Sequence, residues 1–115
     1  MKDVKVILSL EAKQVYDYLN RLSPSSKKER MIFKAVSYKI DLIKNNFQYG
    51  DPIAKNLIPA EYKNKYGINN LFRVELPDFW RMLYSVSEGK SEIEIIAFVL
   101  DIINHKDYNT KWGYR

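Results

Sequence analysis

The sequence contains no cysteine and a single histidine, His105. Disulfides, thiolate nucleophiles and cysteine–zinc sites are thereby excluded, and one imidazole cannot assemble a His/Cys metal cluster. No metal and no small-molecule cofactor is expected. A long apolar run is missing as well. "MKDVKVILSLEAK" offers only five apolar residues in a stretch broken by charges, too short for a signal peptide or a membrane span. The expectation is a cytoplasmic protein without a membrane partner. There is no internal repeat, low-complexity tract or linker, so residues 1–115 read as one domain around one core.

What is present suffices for folding. Hydrophobic residues make up 46% and aromatics 14%, enough apolar surface to offset chain entropy. The formal charge is +5, and the surplus is uneven: residues 1–50 carry ten Lys/Arg against five Asp/Glu, residues 51–115 nine against nine. A basic excess suits a polyanion such as nucleic acid, although modest positive charge is equally common in proteins that bind none.

"VKVILSL" (Val4 to Leu10) has the β-branched apolar character of a short buried strand. Ser9 offers an N-cap, and Ala12, Val15, Tyr16, Leu19 and Leu22 recur at helical spacing up to "SPSS". Ser26 and Glu29 have capping-box spacing, opening a second helix striped by Ile32, Phe33, Val36, Ile40, Ile43 and Phe47. A loop of about twenty residues is expected next, long enough to be functional or to hide a short element. "LFRVEL" and "FWRMLYSV" form a β-hairpin, and "EIEIIAFVLDII" (Glu92 to Ile103), apolar on both parities, reads as a central strand covered on both faces. The order predicts an α+β domain: an N-terminal strand, a two-helix hairpin, then a three-stranded antiparallel meander, in one sheet with the helices on one face.

If the hairpin loop is the odd-numbered Pro77, Asp78, Phe79, then Arg73, Glu75 and Arg81 share a face, opposite Phe72, Val74, Leu76, Trp80, Met82 and Tyr84. Two guanidinium groups on a bare face can clamp phosphate oxygens, or Glu75 and Arg81 can form an ordinary cross-strand ion pair. Lys63 and Lys65, interleaved with Tyr62 and Tyr66, can hold phosphates and stack bases, or simply populate an exposed loop. His105 follows the central strand, where an imidazole with an ordinary pKa of about 6.5 can serve as acid or base, or be merely structural. Tyr108 can donate a hydrogen bond there, and Lys106 can neutralise developing charge on a phosphorane.

This order of elements, the hairpin "LFRVELPDFWRMLYSV" and the ending "HKDYN" resemble the RelE/ParE/HigB superfamily of toxins from toxin–antitoxin pairs. Arg81, Met82, Leu83 and Tyr84 are similar to the family's Arg, apolar residues and Tyr after the turn. "HKDYN" is similar to a His-x-Glu-Tyr-Asp element, with Asp107 for Glu and Asn109 for Asp. The resemblance spans nearly the whole chain. It implies a metal-independent endoribonuclease (an mRNA interferase) in which an RNA 2′-hydroxyl attacks the adjacent phosphate. Arg81 would stabilise charge, Arg73 would supply a second basic group, and His105 and Tyr108 would serve acid–base work or positioning, with Lys63, Lys65 and Lys106 as RNA contacts. The implied partners are a small antitoxin protein and messenger RNA on the ribosome. Glu75 stands where potent RelE members carry a second basic residue, and is expected to repel a phosphate or occupy Arg81. The resemblance equally admits a non-enzymatic binding protein, either a ParE-like topoisomerase inhibitor or an inactive toxin homologue.

Overall fold

A computed structural model describes residues 2–113. β1 (Asp3–Leu8) leads through Ser9 into α1 (Leu10–Leu22), which turns into α2 (Lys27–Asn45). A two-residue strand β2 (Asp51–Pro52), a 3-10 turn (Lys55–Leu57) and α3 (Ala60–Tyr66) follow. β3 (Phe72–Glu75), β4 (Arg81–Glu88), β5 (Glu94–Ile103) and α4 (His105–Trp112) complete the chain. The five strands form one sheet in the order β1-β5-β4-β3-β2. β1 runs parallel to β5, and every other neighbouring pair is antiparallel.

The strand–helix–helix–three-strand order agrees with the α+β expectation, but its sheet does not. The meander is part of a five-stranded mixed sheet, because β1 docks parallel on β5 and Asp51–Pro52 adds a short edge. Nor do the helices keep to one face. α1 and α2 cover one side with Ala12, Leu19, Ile32, Val36 and Ile43 over Val74, Met82, Tyr84, Ala97 and Val99. On the other side Tyr62 of α3 and Tyr108 of α4 pack over Leu71, Leu83, Leu100 and Ile103. The expected long loop therefore holds α3, and the polar ending after β5 is α4.

The reason lies in β5. Leu83 pairs with Asp101 and Tyr84 with Val99, so Leu100 is the extra residue of a β-bulge. Before it, Ala97 and Val99 face the first core; after it, Ile102 does, while Leu100 and Ile103 face the second. A strand apolar on both faces must be covered on both faces, and α3 and α4 supply the second cover. Both end at glycines in the left-handed region, Gly67 (φ 63) and Gly113 (φ 74), where a side chain would be strained. Asn104 caps α4, its side chain accepting from the Asp107 N–H at 2.8 Å.

β1 is half-exposed rather than buried, as suits an edge strand covered on one face. Ser9 caps α1 as expected, accepting from Ala12 N–H at 3.0 Å, and its hydroxyl also donates to the Leu100 carbonyl at 2.6 Å. Ser26 sits at the N-cap position of α2, but its hydroxyl donates to the Glu29 carboxylate at 3.0 Å instead of accepting from the backbone. Among the described residues, no helix is long and apolar enough to cross a membrane. Ser9 is buried and joins helix, edge strand and bulge. Ser9→Ala should therefore cost about 1–3 kcal/mol in urea denaturation, whereas a loss below a few tenths would mean that the hydroxyl is not holding that junction.

Candidate functional site

The odd hairpin loop exists as a 3-10 turn at Pro77–Phe79. Glu75 consequently faces Arg81 across the ladder and Arg73 faces Leu83, which places Arg73, Glu75 and Arg81 on one side of the sheet. That side is not bare. Tyr108 of α4 lies over it, almost fully buried, with its ring stacked on Trp112 at 4.4 Å.

The two arginines converge on Tyr108 and Glu75. Arg73 donates through Nη1 to the Tyr108 hydroxyl at 3.0 Å, and the Arg81 guanidinium lies over the Tyr108 ring, 4.7 Å from its centroid. Glu75 sits between them, with one oxygen 3.2 Å from Arg73 Nε and the other 3.1 Å from Arg81 Nε. Both Nε atoms are buried, yet among the described residues neither makes an aligned hydrogen bond. Their attraction to Glu75 is that of an ion pair, and two buried N–H donors are left wanting acceptors. The Tyr108 hydroxyl holds the Arg73 guanidinium firmly charged, raising its already high pKa. The Arg81 side chain is 13% exposed, while that of Glu75 is 55% exposed. The carboxylate is thus the movable member and the guanidinium the fixed one.

His105 is the first residue of α4, exposed, one turn before Tyr108 on the same helix. Its Nε2 lies 3.2 Å from Asn109 Nδ2, and its ring packs on Phe79 at 5.6 Å between centroids. Phe79 also accepts a hydrogen bond from Arg81 Nη1 on its carbonyl. Phe79 therefore links the histidine to Arg81. Asp78 and Phe79 both adopt φ 60, a conformation costly for Phe, and the Phe79 ring is 68% exposed. An aromatic ring held out to solvent on a strained turn beside a histidine and an arginine has the form of a stacking platform.

The structure thus brings Arg73, Arg81 and Tyr108 together, with His105 at their rim. The lysines lie differently. Lys65 is on α3, ion-paired with Glu11 and set over the Tyr66 ring. Lys63 is exposed on the same helix, and Lys106 is exposed on the first turn of α4. Tyr62 and Tyr66 do not stand free for bases: Tyr62 donates to Asp101 at 2.7 Å and Tyr66 to Glu11 at 2.9 Å. Arg73 and Tyr108 line a hollow of about 180 Å³ with Asp51, Ile53, Leu57 and Trp112, too small for a nucleotide. A larger cleft, about 700 Å³, lies apart from the arginines, between α1, α3 and α4. Sequence reasoning gave no role to Phe79 and counted Glu75 as a defect. The signal for Glu75 was the parity that put it between two arginines.

Comparison with family models, with curated proteins and with solved structures found no match.

Glu11 gives a pH test of how α3 is tethered. The Lys65 ammonium, with help from the backbone N–H of Glu11 itself and from the Tyr66 hydroxyl, lowers the Glu11 carboxyl from 4.5 to about 2. A depressed folded-state pKa contributes stability above the unfolded value and loses it as pH falls toward the folded one. Glu11→Gln should accordingly melt lower than the parent at pH 7, with the gap closing between about pH 4.5 and 2 and shrinking with added salt. A gap that persists at pH 2 would mean that packing, not charge, makes the difference.

Proposed function

We propose that the protein is a toxin of the RelE kind acting as a metal-independent endoribonuclease on messenger RNA, held in check by a small antitoxin protein. The observation that carries this reading is the pair of charged guanidinium groups, fixed by Tyr108, whose buried Nε–H donors lack aligned acceptors. A non-bridging phosphate oxygen is the acceptor that such a fork fits.

The chemistry needs a base, charge stabilisation and an acid. Glu75, the carboxylate between the arginines, takes the proton of the 2′-hydroxyl as its oxygen attacks the adjacent phosphorus. Arg73 and Arg81 bind the charge that grows on the pentacovalent phosphorane. His105, as imidazolium, gives a proton to the departing 5′-oxygen, which leaves a 2′,3′-cyclic phosphate and a 5′-hydroxyl. Tyr108 positions both arginines, and Phe79 stacks a flanking base. Lys106, exposed one residue from His105, and Lys63 are available to the RNA backbone, whereas Lys65 is committed to Glu11.

A second reading is favoured by one contact set: Glu75 already neutralises both arginines. A toxin-fold binding protein without catalysis, such as a ParE-like topoisomerase inhibitor, would be content with that arrangement. Growth arrest with transcripts left intact selects it.

In a translating extract containing chelator, Arg81→Ala should slow cleavage by about 2–4 kcal/mol of transition-state stabilisation. Glu75→Gln and His105→Ala should each cost about 10²–10⁴-fold. Only the His105→Ala defect should shrink on a nucleotide ester with a nitrophenolate leaving group, which needs no proton. Equal rates in all three variants would remove these residues from the reaction. Phe79→Ala should weaken RNA binding by about 1–3 kcal/mol in a fluorescence titration without lowering the melting temperature. A variant that melts lower and binds RNA as before would make Phe79 structural only.

A further inference from the structure

β1 and β5 are adjacent and parallel, and the chain leaves their carboxyl ends in opposite directions. After β1 it crosses into α1 on the first face, and after β5 into α4 on the second. Neighbouring parallel strands whose connections part in this way leave a crevice beyond their carboxyl ends. The cleft of about 700 Å³ is that crevice, with walls from Glu11, Val15 and Tyr18 of α1, Tyr62 and Tyr66 of α3, and Trp80. Its volume is in the range that takes a small organic ligand.

The charge of the crevice runs against that of the chain. Glu11, Glu61, Asp101 and Asp107 face Lys65 and Lys111, a surplus of two negative charges in a protein whose net charge is +5. Among the described residues no three metal-ligating side chains converge, so the negative charge is spread along the walls. A spread deficit of two suits an extended organic dication rather than a metal ion. Asp101 is the deepest of these acids. The Tyr62 hydroxyl and the more distant Lys111 ammonium, 4.0 Å away, both approach its Oδ2. Burial raises its pKa above the ordinary carboxylate value despite these two partners, so a further cation is welcome there. The aromatic walls already receive cations of the chain's own: Lys111 stands 5.2 Å from the Tyr62 centroid and Lys65 stands 5.5 Å from that of Tyr66.

We infer that this crevice is a binding site for a small aliphatic diamine, one ammonium group on Asp101 and the chain along the aromatic wall. The site is separate from the arginine pair and does not depend on nuclease activity. Isothermal titration of the full chain at low salt with 1,4-diaminobutane and spermidine should show saturable binding that weakens as salt is added. The neutral 1,4-butanediol and the anionic succinate should not bind. Asp101→Asn and Glu61→Gln should each weaken diamine binding by at least about tenfold, and Gln14→Trp, which fills the crevice from α1, should do the same. Glu61 is exposed and Gln14 lies on the outer wall, so these two variants keep the test open if Asp101→Asn fails to fold. No saturable binding, succinate bound better than the diamine, or folded variants with parental affinity would each overturn the site.

Discussion

The fold turns on one strand that is apolar on both faces. β5 presents Ala97, Val99 and Ile102 to one core and Leu100 and Ile103 to the other, and the bulge at Leu100 makes the switch. Leaving the second face in water would expose several large side chains at roughly 1.5–3 kcal/mol each. α3 and α4 are recruited to cover it. Once α4 lies there, Tyr108 comes to rest on the arginines of β3 and β4, and His105 comes to the rim beside Phe79. The candidate site is thus a consequence of core packing on the far side of the sheet.

For the proposed reaction, the balance between Glu75 and the arginines within that site is decisive. A carboxylate that merely neutralised them would leave a quiet surface ion pair, worth little in water. The geometry differs from that in two respects. Arg81 is nearly enclosed while Glu75 remains largely exposed, and the enclosed Nε–H groups are not aligned with the carboxylate oxygens. Burying a guanidinium without satisfying its donors is costly, and a phosphate oxygen would relieve that cost. In the reaction we propose, the same carboxylate would then stand beside the phosphate, where a proton must be removed. On that proposal an acid expected to deter RNA serves as the base.

Much of this was legible in the residues. The parity of the odd loop placed Arg73, Glu75 and Arg81 on one face, and Ser9 announced the start of α1. The double-parity run of β5 announced that both faces needed cover, yet the covering helices were not read. α3 has seven residues, no side-chain cap and only Tyr62 buried, so its periodicity is too short to stand out; Gly67 was its one clear stop signal. α4 did carry start and stop signals, Asn104 and Gly113, hidden in a stretch whose polar residues suggest a loop. Pairings across the chain, such as Lys65 with Glu11 and Tyr62 with Asp101, depend on how α3 docks and leave no local trace. The strain at Phe79 is likewise a property of the closed hairpin, not of the tripeptide.

The central claim is that one RNA phosphodiester touches Arg73 and Arg81 together with His105 close by. Arginine Nε–H and histidine ring signals, followed by NMR while a short RNA blocked by a 2′-deoxy residue at the scissile position is added, report that contact directly. The account predicts that the Nε–H signals of Arg73 and Arg81 and the His105 ring shift in concert and saturate at one RNA per chain. Shifts confined to the exposed lysines, with the two arginine signals unmoved, would contradict it.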